Sequence, residues 1–277
     1  MSQIDERDTF DRGEFDACYL NKKPLIIRGA ARSWPAIHWN FESLGKVCGK
    51  HVITIESYDA GEETYWEQMN RHKRTLYFDD YLSELQQRPD PLWSLRENYE
   101  IFFSHPELKQ DFRVEELFPE ITKEWFYYLW CGPEGYVTGL HADDLENNIL
   151  VQIRGEKIFK FYHPDDTEFL YLESDALCDG AYYSLADPFS PDLERFPAMR
   201  NATEYTAIVG PGDMIYVPGF WWHAVKSLSP VISVNVCYGD NQSKIHDEER
   251  RLKAQGRHGE ACHQCAQDRS APLPPIS

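Results

Sequence analysis

Thr138-Gly139-Leu140-His141-Ala142-Asp143 is the stretch on which the fold turns. It reads as an extended strand, where side chains at i and i+2 leave the backbone on one face, so His141 and Asp143 point together and Ala142 points away. Gly212-Asp213-Met214-Ile215-Tyr216-Val217-Pro218-Gly219-Phe220-Trp221-Trp222-His223 answers it later in the chain with a second strand and a second imidazole. Two imidazoles and a carboxylate on one side of an ion leave its other positions open, an arrangement that suits non-heme Fe(II) and oxygen activation. His141, Asp143 and His223 are therefore the candidate metal ligands and catalytic centre. Asp144 is the rival carboxylate, but the pleat sends it to the opposite face from Asp143. His163 and His246 are weaker rivals for the third ligand.

Outward from this pair, strand signals dominate from Tyr136 to Gly239, with runs at 148–154, 157–162, 203–209, 213–217 and 231–238. Gly155-Glu156 reads as a two-residue hairpin turn. Upstream, Pro24 to Gly29 is a short apolar strand, Asn40 caps a helix over 41–48, and 51–55 is another β-branched strand. Helices are predicted over 78–87 and 122–130. The expected architecture is mainly β with flanking helices, a double-stranded β-helix of the jelly-roll type. Residues 1–20 form a charged lead-in and 21–240 the catalytic domain. Within that domain 174–202, rich in Asp, Pro, Ser and Gly, reads as an insertion or lid. Residues 241–277 form a charged helix and a proline-rich tail.

A formal net charge of -18 excludes a general grip on phosphate backbones, although Arg71 to Arg74 and the run Arg250, Arg251, Lys253, Arg257 are local basic clusters. The N-terminal residues lack the basic start and apolar run of a secretory signal, and no apolar run has the length of a membrane span. Seven cysteines, an odd number, read as a reduced intracellular chain, cytoplasmic or, in a eukaryote, nuclear. Cys262-His263-Gln264-Cys265 with His258 carries one CxxC and lacks the second pair that a structural zinc site usually has.

Iron with an open face needs an electron source, and a 2-oxo acid chelates it and supplies two electrons through decarboxylation. The far carboxylate of such a cosubstrate needs a cation and a hydroxyl deep in the interior, and Lys157 with Thr138 fit. An inward lysine among apolar neighbours is costly unless it meets an anion.

These motifs resemble the JmjC-type branch of the cupin superfamily, the Fe(II)- and 2-oxoglutarate-dependent oxygenases. The likeness runs from Pro24 to Gly29 and Trp34-Pro35 through Leu129-Trp130-Cys131-Gly132, Thr138 to Asp143 and Gln152 to Lys157. It continues with Pro164, Leu170-Tyr171, Gly212 to His223 and Ser233-Val234-Asn235. The small hydroxylase subgroup, which includes the asparaginyl hydroxylase acting on hypoxia-inducible factor and the wybutosine-tRNA hydroxylase, is the nearest match. The resemblance implies that His141, Asp143 and His223 hold Fe(II). It implies that Thr138 and Lys157 bind the far carboxylate of 2-oxoglutarate, that Asn148 and Asn235 line the pocket and that Trp130 sits beside it, with O2 as the third reactant. Between His141 and Lys157 the chain is one residue longer than the usual spacing, with Asn147 and Asn148 both available, and a bulge would absorb the difference.

The reaction implied is hydroxylation of a C–H bond, first of all in a protein or peptide side chain. Alternatives are a modified tRNA nucleoside or small natural product, N-methyl-lysine demethylation, and a cupin that binds metal without turnover. No membrane partner is expected; a homodimer through helices flanking the barrel, such as Asp247 to Lys253, is one open alternative.

Overall fold

The computed structural model describes residues 2–57, 72–87, 89–121, 125–143, 147–173 and 181–238. Its strands, in chain order, are β1 (Ser2–Gln3), β2 (Asp5–Arg7), β3 (Leu25–Ile27), β4 (Val52–Ser57), β5 (Lys73–Tyr77), β6 (Trp93–Asn98), β7 (Tyr127–Gly132), β8 (Val137–Asp143), β9 (Asn147–Arg154), β10 (Lys157–Tyr162), β11 (Ala181–Tyr183), β12 (Tyr205–Val209), β13 (Met214–Val217), β14 (Trp222–Ser227) and β15 (Val231–Tyr238). They form a six-stranded sheet in the order β1-β12-β10-β14-β8-β11 and a nine-stranded sheet in the order β2-β3-β13-β9-β15-β7-β6-β4-β5.

Alternation along each strand decides how the sheets meet. Ile26, Leu150, Ile215 and Val217 of the larger sheet share one apolar cluster with Phe159, Phe161, Ala207 and Val209 of the smaller, so the two sheets face each other. The intervening residues Ile149, Val151, Ile153, Met214, Tyr216, Ile232 and Val234 point the other way and pack with Phe15, Leu44, Phe78 and Leu82. The last four belong to the helices Arg12–Cys18, Phe41–Cys48 and Phe78–Gln87. With both faces covered, β9 and β15 are buried along nearly their whole length, and they carry the buried polar residues Gln152, Ser233 and Asn235 among their apolar ones. The fold is the expected one: mostly β, two jelly-roll sheets with a minority of helices.

Several local readings hold. Asn40 caps Phe41–Cys48 with a reciprocal box, its side chain accepting from Ser43 N and the Ser43 hydroxyl from Asn40 N, both at 2.9 Å. Others need correction. The helix predicted over 122–130 is contradicted from Tyr127 onward, where the chain is β7 between β15 and β6. Periodicity cannot separate a buried helix from a strand in a run of large apolar residues; pairing with β15 decides it. Residues 122–124 lie outside the described residues.

Gly155-Glu156 is also not a hairpin between paired strands, because β9 and β10 belong to different sheets, and Lys157 pairs with Val209 and Ser227 rather than lying beside Arg154. Gly155 has φ +71°, and a Cβ there would stand 2.4 Å from the Pro230 carbonyl oxygen, so only glycine lets the chain cross there.

The lead-in holds strands as well as a helix: β1 runs parallel to β12 and β2 parallel to β3, one on each sheet. Of the 174–202 segment, residues 174–180 lie outside the described residues. Ala181–Tyr183 is an edge strand on β8, and Ala186, Phe196 and Met199 cover Leu140, Ala142 and Trp222 on the outer face of the smaller sheet. The tail from 239 onward, with its CxxC and basic run, is outside the described residues, as are Arg71, Asp144 and His246.

Candidate metal centre and anion pocket

β8 and β14 are antiparallel neighbours with His141 directly opposite His223, and their ring centroids are 4.1 Å apart. Each imidazole is held through Nδ1, His141 by the Gly139 carbonyl at 2.7 Å and His223 by the Trp221 carbonyl at 2.9 Å. A carbonyl only accepts, so both Nδ1 atoms carry the proton and both Nε2 lone pairs are free to bind a cation. Asp143 lies between them, its Oδ1 3.9 Å from His141 Nε2 and its Oδ2 3.9 Å from His223 Nε2. An ion about 2.1 Å from each of three donors keeps them about 3 to 4 Å from one another. The donor set therefore fits a metal, and its ligand atoms all fall within 4.8 Å. Burial, and then the neighbouring His223 ring, hold the His141 imidazole well below its usual pKa, in the neutral form a metal requires.

The register of β8 against β14 slips by one residue between this pair and the next: His141 faces His223, but Thr138 faces Val225. Three steps along β8 match two along β14, which is a β-bulge. Without it Thr138 and His141 would point to opposite faces; with it both look into the interior.

Deeper along the same space lies a cleft lined by Trp130, Tyr136, Thr138, Lys157, Ser94, Ser227 and Val231, among others. Lys157 is 5% exposed. Its Nζ donates to the Ser233 hydroxyl at 2.7 Å and lies 5.4 Å from the centre of the Trp130 ring. Burial pulls its pKa down to about 7, with only the Cys131 thiol opposing. Two more lining residues carry donors with no acceptor among the described residues: Trp130 Nε1 is buried without a partner there, and the Tyr136 hydroxyl, beside the Arg96 guanidinium, donates to none. A pocket of unspent donors around one buried ammonium is chemically matched to an anion rich in acceptors.

The eight residues assigned to metal or cosubstrate in the sequence are all described. His141, Asp143 and His223 converge, and Thr138, Lys157 and Trp130 line the cleft. Asn148 and Asn235 face each other on β9 and β15, with Asn235 Nδ2 donating to Asn148 Oδ1 at 3.0 Å. Asn147 turns outward, donating to Asn21 and accepting from Tyr216, so Asn148 is the inward member of the pair. A register shift on β9 before Arg154 is the bulge between His141 and Lys157. His163 accepts from Asp165 N at 3.1 Å and packs on Trp221, away from the triad.

Tyr136 and Ser233 were missed. The signal was the two-residue period, since Tyr136 precedes Thr138 by two and Ser233 precedes Asn235 by two.

Residues 12–244 match the family model for a cupin-like domain. The chain is 30% identical over 220 residues to Lysine-specific demethylase 8 of Danio rerio, covering 77% of this chain and 52% of that protein. It is 28% identical over 242 residues to HSPB1-associated protein 1 of Homo sapiens, covering 77% and 47% respectively. The chain thus spans about half the length of the curated relatives it matches. The X-ray structure of E. coli ycfD has the same fold, with a TM-score of 0.54 at 14% identity over 99% of this chain and 62% of that one.

Proposed function

The chain belongs to the cupin-like domain family, in its JmjC-type branch, and from that premise we propose that it is an Fe(II)- and 2-oxoglutarate-dependent dioxygenase that hydroxylates a C–H bond in a protein or peptide side chain. The observation that carries this reading is the pairing of two features in one interior: three metal-type donors with free lone pairs, and a buried lysine that no carboxylate among the described residues neutralises. His141, Asp143 and His223 would hold the iron, which with O2 and 2-oxoglutarate supplies the oxidising chemistry. Lys157 and Thr138 would take the far carboxylate, and Trp130 would wall the pocket. Asn148 and Asn235 would offer amides on the opposite sheet. The protein orients the target bond and keeps water away.

Polypeptide substrates suit an acidic chain; one kind of relative is named for demethylating lysine and the other for associating with HSPB1. Among the described residues Cys18, Cys48 and Cys131 are free thiols, which suits a reducing cytoplasmic or nuclear setting. No helix of the described residues is long and apolar enough to cross a membrane.

Iron-loaded protein given 2-oxoglutarate and O2 should release succinate, with a His141→Ala control silent, and a responsive peptide should gain the mass of one oxygen. Equal succinate release by the His141→Ala variant would remove the metal assignment. A second reading, removal of an N-methyl group from lysine, is favoured by the name of the demethylase relatives. It would appear as formaldehyde release with loss of a methyl mass rather than gain of oxygen.

A further inference from the structure

Phe220, three residues before His223, has φ +64°. An aromatic residue in the left-handed region is a genuine outlier, because its Cβ crowds the backbone there. Glycine takes that conformation freely, and a glycine is adjacent, yet Gly219 is not among the residues with positive φ. The chain has set the strained angle on the phenylalanine.

Core packing among the described residues does not account for it. The Phe220 ring is half-buried, but among the described residues it joins none of the three apolar clusters and stacks on no other ring. Both neighbouring tryptophans do pack in the core and spend their indole N–H groups, Trp221 on the Lys22 carbonyl and Trp222 on the Thr167 hydroxyl.

Its position is at the triad. Phe220 N donates to the Asp143 carbonyl at 2.8 Å, and the next carbonyl, of Trp221, orients His223. On the other side of β8, Tyr183 of β11 pairs with His141, its ring nearly parallel to the imidazole with centroids 6.0 Å apart. The strand that bears two of the three candidate ligands is thus flanked by an aromatic residue on each side. Strain kept at such a place with no packing return among the described residues marks a side chain retained for a ligand.

We propose that Phe220 is a specificity-determining residue that packs against an apolar side chain adjacent to the oxidised residue of a polypeptide substrate. A phenyl ring with no apolar neighbour among the described residues gains most from covering by another apolar group. This inference rests on the polypeptide reading of the site.

The test uses the full chain loaded with Fe(II) and 2-oxoglutarate, a degenerate peptide library read by mass for oxygen gain, and the variants Phe220→Gly and Phe220→Leu. Wild-type products should be enriched in an apolar residue beside the oxidised one. Phe220→Gly should melt no lower than wild type and bind Mn(II) with 2-oxoglutarate as wild type does. It should lose the enrichment and raise KM for the enriched peptides about tenfold with little change in kcat, the loss expected for uncovering one apolar side chain. Phe220→Leu should keep part of the preference. Unchanged enrichment and KM in Phe220→Gly overturn the proposal, as does a lower melting point with weaker Mn(II) binding, which would make Phe220 structural. Succinate without any oxidised peptide in the wild type overturns it together with the polypeptide reading. No succinate at all removes the oxygenase reading beneath both.

Discussion

Lys157 is where the physics of a single side chain gives the sharpest expectation. Its pKa falls to about 7 in the fold against an ordinary 10.5, so folding disfavours the charged form. That penalty is complete below pH 7 and vanishes as the unfolded lysine also loses its proton, so this residue's contribution makes the ligand-free protein more stable as pH rises from about 7 to 10.5. The gap corresponds to roughly 3–5 kcal/mol at low pH. Lys157→Met should therefore melt higher than wild type at pH 6, with the difference closing toward pH 10, while losing its affinity for 2-oxoglutarate. A bound dicarboxylate favours the ammonium, so wild-type affinity for 2-oxoglutarate should fall as pH rises through 7, by up to about tenfold per pH unit. Calorimetric titration of the Mn(II)-loaded protein in two buffers of different ionisation enthalpy would show the proton uptake; a flat pH profile would contradict it. At this scale the sequence was readable where chemistry is local: His141 and Asp143 share a face because they are two apart. The choice between Asn147 and Asn148 depended on which of them meets Tyr216, a contact made only after folding.

Length made several elements legible, although the three-residue β3 was readable from its apolar run and the six-residue β7 was read as helix. The six- to eight-residue strands β9, β10 and β15 and the helix Phe78–Gln87 carry enough residues to show their period, whereas β1, β2 and β11, with two or three each, carry none. β2 is Asp-Glu-Arg, with no β propensity at all; backbone pairing and ion pairs hold it to its neighbours, Asp5 with Lys23 at 2.8 Å and Glu6 with Arg28 at 2.6 Å. The bulge in β8 was equally hidden, since it exists only relative to β14. Arg28 and Asp213 show how such elements are locked. The Asp213 carboxylate, 6% exposed, accepts from Arg28 Nη1 at 2.6 Å, Gly29 N at 2.9 Å and Gly210 N at 3.1 Å. Asp213→Ala leaves the two backbone donors without this acceptor at the β3–β13 junction, and should cost about 2–3 kcal/mol in urea unfolding. Since Asp213 touches none of the triad, Mn(II) affinity of the folded variant should stay near that of wild type. Loss of metal binding at native stability would show that the junction positions the ligands.

For the whole molecule the governing quantity is charge. With 28 Lys and Arg against 46 Asp and Glu, the net charge of -18 opposes compaction and repels anions at long range. The site nonetheless gathers an ammonium and unspent donors for an anion, so the cosubstrate must be held by short-range hydrogen bonds in a cleft screened from that field. A polypeptide substrate approaches over the outer surface and feels it directly. The two ligands should therefore answer salt differently. Raising NaCl from about 50 to about 500 mM shortens the Debye length from roughly 14 to 4 Å, enough to erase steering but too coarse to reach a buried contact. The expected result is a fall in kcat/KM for a cationic peptide of about tenfold, carried by substrate capture, while KM for 2-oxoglutarate changes little and the melting temperature of the free protein rises as self-repulsion is screened. A neutral analogue of the same peptide should lose the salt response but keep its kcat. If the neutral analogue and the cationic peptide respond alike, the acidic surface serves solubility alone, and the choice of substrate rests on contacts at the triad's mouth.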